Sequence, residues 1–166
     1  MKQKKNKKSI RSSAPRCPYC GSIATLRSAD GIYQNNPRES MLYVCKNYPA
    51  CDAYVRVHPG TTLPMGSLAN KRLRGLRMEA HKYFDQIYIR GIMSKQDAYH
   101  WLSDVLCIPF LETHIGQMGE YYCGKVIEES KKLLAQHPQF QKKGLFTNRR
   151  KGEEGHETDP RTAVRC

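Results

Sequence analysis

Two cysteine pairs, Cys17-Pro-Tyr-Cys20-Gly21 and Cys45-Lys-Asn-Tyr-Pro-Ala-Cys51, constrain this chain more than any other feature. A C-x2-C turn lets two thiolates converge on one ion, and the glycine after it permits the tight backbone such a turn needs. A second pair at this distance closes the tetrahedron that zinc prefers. The segment between the pairs suits a small sheet. Ile23–Arg27 and Met41–Val44 have strand composition, Asp30-Gly31 and Asn35-Asn36-Pro37 are turn formers, and Tyr54–Val57 supplies a third strand. The expectation is a zinc ribbon of short antiparallel hairpins over residues 17–60, with Cys17, Cys20, Cys45 and Cys51 as ligands of one structural zinc ion. Four thiolates leave no position for water, so the metal has no catalytic vacancy. A redox C-x-x-C would leave the second pair unexplained. His58 stands close enough to Cys51 in sequence to be an alternative ligand.

The chain has 166 residues and a formal charge of +13, with seven cysteines. An odd cysteine count without an apolar leader after the basic start fits a reducing compartment, which implies a cytoplasmic protein. No apolar run approaches the roughly 20 residues of a membrane span. The cations are unevenly placed. Residues 1–16 carry Lys2, Lys4, Lys5, Lys7, Lys8, Arg11 and Arg16 and no acid, which reads as a disordered basic arm. Residues 138–166 read as a flexible tail. Between them, 58–90 hold six cations against two acids, whereas 91–137 hold four against six. A polyanion would therefore meet the first half.

Beyond Pro64 the apolar period changes from strand to helix. Leu73, Leu76, Ala80, Tyr83, Phe84 and Ile87 share a narrow sector, with Lys71, Arg74 and Lys82 opposite. Ser67 is the expected N-cap and Gly91 the stop. Ser94 and Asp97 form a capping box for a second helix whose Ala98, Trp101, Leu102, Val105 and Leu106 recur at helical spacing until Pro109. A third helix, from about Gly119 to Gln136, would bury Tyr122, Val126, Ile127, Leu133 and Leu134. The fold class is thus α+β: an N-terminal four-cysteine ribbon followed by a bundle of about three helices over 61–137, packed on or beside the ribbon. Cys107 and Cys123 are expected to be small buried residues, with His114 and His100 having no metal role beside them.

The ribbon interleaves Tyr33, Tyr43, Tyr48 and Tyr54 with Arg27, Arg38, Lys46 and Arg56, and the first helix adds Lys71, Arg72, Arg74 and Arg77. Cations for phosphates beside flat rings for bases are what single-stranded nucleic acid requires. The candidate contacts are Lys46, Tyr48, Arg56, Lys71, Arg72, Arg74 and Arg77, with single-stranded DNA preferred over duplex DNA or RNA. No glycine-rich phosphate loop, HExxH, GxSxG or carboxylate cluster is present in the sequence, so no enzyme is expected. The rival reading is an adaptor or inhibitor that docks on a host protein through the ribbon or the helical unit.

The run from Cys17 to Val55, above all Cys45-x-Asn47-Tyr48-Pro49-x-Cys51, resembles the four-cysteine zinc fingers at the C-terminus of bacterial type IA DNA topoisomerases. That resemblance, over residues 17–57, implies single-stranded DNA binding. The longer stretch 17–127, with Gly66-Ser-Leu-Ala-Asn70, Ala98-Tyr-His-Trp-Leu102 and His114-Ile-Gly116, is similar to a family of zinc-finger-containing proteins of bacteriophages and prophages. It implies a mobile-element origin and carries no function with it.

Overall fold

The computed structural model describes residues 14–140. Three antiparallel strands in the order β1-β2-β3, β1 (Ala24–Ser28), β2 (Met41–Cys45) and β3 (Tyr54–Arg56), are followed by three helices, α1 (Lys71–Ile89), α2 (Lys95–Leu106) and α3 (Glu120–Gln136). Short 3-10 turns at Phe110–Glu112, Ile115–Gln117 and Pro138–Phe140 complete it. The chain is α+β, as its periodicity implies.

Strand register decides what each face of the ribbon carries, because directly paired residues share a face. Leu26 pairs with Tyr43 and Tyr43 with Val55; Ala24 pairs with Cys45. These join Cys17, Ala53, Val57 and Leu68 in one buried cluster, so two of the four cysteines lie in the ribbon's own core. The opposite face holds Thr25, Val44 and Tyr54 in one row and Arg27, Leu42 and Arg56 in the next. There Leu42, Val44 and Ala29 are covered by Ile32, Tyr33, Tyr48 and Tyr54.

The basic arm reaches the described residues only at its end, and there it is ordered: Arg16 pairs with Ile23, and Ala24 N–H donates to Pro15 O at 2.9 Å. The rest of the arm, and the tail beyond Phe140, lie outside the described residues. Ser67 does not cap α1. The chain stays extended through Ala69, which exchanges two backbone hydrogen bonds with Tyr54, and Asn70 then caps, its side chain accepting from Leu73 N–H at 2.8 Å. At the other end Gly91 adopts φ +76°, and Gly91 and Ile92 N–H close on Tyr88 and Ile87 carbonyls, the αL stop that only glycine enters without strain. Ser94 caps α2 as expected, accepting from Asp97 N–H at 3.1 Å.

The helices enclose a single core built on Phe84, Ile87, Ala98, Leu102, Cys123 and Val126, with α1 packing mainly on α3. Three sequence expectations fail here. Cys107 is exposed, because it occupies the left-handed position that ends α2, at φ 52°. Val105 and Tyr122 are each 37% exposed, at the margin of stripes whose centres the smaller residues Ala98 and Cys123 occupy. Cys123 itself is fully buried.

Candidate metal centre and nucleic-acid interface

Each cysteine pair sits in a turn that its backbone closes. Gly21 N–H donates to Cys17 O at 2.9 Å with φ +72° at the glycine, and Cys51 N–H donates to Asn47 O at 2.9 Å, next to a cis Tyr48–Pro49 peptide. The sheet then brings the turns together, since Cys45 ends β2 directly opposite Ala24, a few residues past Cys20. Cys17 and Cys51 sulfurs stand 3.5 Å apart, Cys20 and Cys45 sulfurs 3.3 Å, and all four Sγ atoms lie within 4.8 Å of one another. A zinc–sulfur distance of about 2.3 Å gives a tetrahedron with edges of about 3.8 Å, so the donor set fits one Zn2+. His58 is not among the converging groups.

The thiols differ in how easily they become thiolates. Backbone N–H donation from Ser22, with help from neighbouring sulfurs, brings Cys20 down to about 6, whereas burial pushes Cys45 up to about 12. Zinc must displace the proton that Cys45 holds; Cys17 and Cys45 form the buried side of the centre, while Cys20 is exposed and Cys51 half-buried. Asn47 adds a positioning contact, its Nδ2 reaching Cys20 Sγ at 3.5 Å and Ser22 Oγ at 3.0 Å.

Both cysteine turns also reach the start of α1. Tyr19 Oη, between Cys17 and Cys20, accepts from Asn70 N–H at 3.2 Å, and Asp52, after Cys51, accepts from Lys71 N–H at 2.8 Å. The Asp52 carboxylate further takes Arg74 Nη2 at 3.1 Å, and its carbonyl takes Arg74 Nη1 at 2.7 Å. The Arg74 guanidinium lies 3.7 Å from the centre of the Tyr54 ring. Arg77, half-buried, donates to the carbonyls of Ser67 and Met118 and to the Ser67 hydroxyl. Arg74 therefore joins ribbon to helices, and Arg77 ties α1 to the linker before it and to Met118. Arg74 lies on the ribbon side of α1, not on a solvated back.

Of the other candidate contacts, Lys46, Arg56 and Lys71 are exposed, and Tyr48 is half-buried with the Arg27 guanidinium 5.3 Å from its ring centre. Arg72 is exposed and pairs with Glu120 at 3.0 Å. Arg56 and Arg74 share a cleft on the β3 side, while Tyr48 stands with Arg27 on the β1 side. Asp52 and Tyr19 escaped the sequence reading. An acid beside a ligand cysteine gives no hint of a partner twenty-two positions on.

A closed four-cysteine centre on a three-stranded sheet, coupled to a helical unit, defines a zinc-finger protein with a structural metal site. The chain belongs to the family of the zinc-finger-containing domain, whose model matches residues 13–133. No curated protein and no solved structure matches it. Among the described residues no helix is long and apolar enough to cross a membrane.

Proposed function

We propose that this zinc-binding protein is a non-enzymatic nucleic-acid-binding module that contacts single-stranded DNA through the ribbon, in the cytoplasm of a cell hosting the phage or prophage from which it derives. One observation carries the reading. Strand register sets Arg27 and Arg56 on the same sheet face, on either side of Leu42, and Tyr33, Tyr48 and Tyr54 cover that face. Guanidinium groups flanking a platform of phenol rings meet both needs of a single strand, phosphate neutralisation and base stacking.

Binding of labelled single-stranded DNA by the full zinc-loaded chain, followed across a salt series, tests it. Lys46→Ala and Arg56→Ala should each lower affinity and reduce the slope of log K against log salt by about one phosphate. Unchanged affinity and slope in both variants would remove the ribbon from the footprint and sink the reading.

A different observation favours the adaptor or inhibitor alternative: Leu111 is 92% and Tyr121 71% exposed on the helical unit. A stoichiometric host protein that survives nuclease treatment, and is lost on Leu111→Lys together with Tyr121→Lys, would support it.

A further inference from the structure

Between the ribbon and α1 lies a cleft of about 420 Å3, within the range of small-ligand sites, roughly 300–1,000 Å3. Tyr33 and Tyr54 form one wall, in edge-to-face contact with ring centres 6.2 Å apart. Met65 and Met78 line it with thioethers, Arg56 and Arg74 add positive charge, and no carboxylate is among its lining residues. Rings and polarisable sulfurs make contacts with any flat heterocycle and read no hydrogen-bonding edge. The surroundings are cationic. Arg56 spends only its Nε on a neighbour, Met65 Sδ at 3.2 Å, and its two Nη groups have no hydrogen-bond partner among the described residues. On the far side of Arg56 runs a broader groove of about 960 Å3, lined also by Arg38 and His58, with Glu39 its one lining carboxylate.

We infer that this cleft seats one unstacked nucleobase of a single strand, with the adjoining phosphates lying along the Arg56, His58 and Arg38 groove. The inference rests on the nucleic-acid reading above and specifies the strand and its seat. A base reaches a recess between two packed units only if it is splayed from its neighbours, which a single strand permits cheaply and an intact duplex does not. Contact through rings and thioethers does not depend on which base is seated, while the Arg56 Nη groups are left to donate to a base edge or to the adjoining phosphates. Of the cleft's cations, Arg74 stays fixed because Asp52 and Tyr54 already hold it.

The test compares, on the full zinc-loaded protein, a thymine homopolymer, an abasic sugar-phosphate strand of the same length and a duplex. The base-bearing strand should bind about tenfold more tightly than the abasic one, with the same salt slope. Met78 is 71% exposed, so Met78→Glu leaves packing alone while placing a carboxylate in the mouth. It should cut the ratio between the two strands severalfold, leaving at most what Tyr48 contributes on the β1 side. Tyr33→Leu should do the same, and if that variant fails to fold, Met78→Glu still decides. A strand with a photoreactive base should crosslink to peptides carrying Tyr33, Tyr54 or Met78. Equal binding of base-bearing and abasic strands, or a ratio untouched by Met78→Glu, overturns the cleft while leaving the ribbon as a phosphate binder. No measurable binding of any of the three probes at low salt overturns the nucleic-acid reading and the cleft with it.

Discussion

The ribbon and the helical unit reach order by different means, and the contrast shows what the metal is for. Among the described residues the helices share one continuous core of thirteen buried side chains, centred on Phe84, Ile87 and Leu102. The ribbon divides its apolar residues between two faces of a three-stranded sheet, eight on one and three on the other, and two of the eight are zinc ligands. Neither face alone buries enough area to hold so short a sheet, since small units of this kind need a staple. Zinc supplies to the ribbon what close packing supplies to the helices.

Removing the metal should break the contrast most visibly. Structural zinc contributes on the order of 10 kcal/mol in comparable peptides, so chelation or Cys45→Ser should unfold the ribbon. The helical circular dichroism should survive in large part, and cobalt substitution, with its thiolate charge-transfer bands, would report the state of the centre. Helical signal lost in step with cobalt release would show one cooperative unit instead of two.

The reciprocal experiment is Phe84→Ala. Phe84 is fully buried against Tyr88 and Tyr99, with ring centres 6.1 and 4.9 Å away, and its truncation should cost about 3–5 kcal/mol. Thermal unfolding should shift down sharply while the cobalt spectrum at low temperature stays unchanged.

Asp52 sharpens the comparison because it belongs to both regions. Asp52→Ala removes the acceptor for Lys71 N–H and the carboxylate partner of Arg74 Nη2, leaving the backbone carbonyl that Nη1 uses, and should cost about 1–3 kcal/mol without altering metal stoichiometry. Hydrogen exchange should show the loss at the first turn of α1 and at Tyr54. A loss spread evenly over the molecule would mean that Asp52 does not join the two units.

The smallest effect separates the regions by pH. Burial, aided by the Asp85 carboxylate, raises Tyr88 and Tyr99 above the ordinary tyrosine value of about 10. Groups raised on folding give stability that is complete below the unfolded value and is lost as pH climbs through the folded one. The helical unit should therefore weaken from about pH 10 upward. The ribbon fails at the other end, where protons compete with zinc for the thiolates. Denaturant titrations at pH 7 and pH 10.5, read by helical circular dichroism, check the first half. Identical midpoints would exclude these tyrosines as the cause.

Much of this was legible from residue order because the signals are local. Cys17, Cys20, Cys45 and Cys51 announce a ligand set by spacing, Ser94 and Asp97 announce a helix start within one turn, and Phe84 and Ile87 repeat at a helical period. The failures share a cause as well. Ser67 has a capping side chain, yet Arg77 claims its hydroxyl and the pairing of Ala69 with Tyr54 delays the helix to Asn70. Cys107 reads as a core residue until the end of α2 puts it at a left-handed, exposed position.

The sequence by itself determined the metal ligands, the α+β order of elements and the apolar stripes, since each depends on residues within a few turns or one hairpin of each other. Only the tertiary structure decided how the cations are used. Arg74 and Arg77 carry the same charge as Arg56, but carbonyls and a carboxylate brought from elsewhere in the chain hold them, Arg74 in the joint and Arg77 against Ser67 and Met118, whereas Arg56 keeps its Nη groups in solvent beside Tyr33 and Tyr54. Charge is a property of a residue, while its availability depends on which distant groups the fold sets against it.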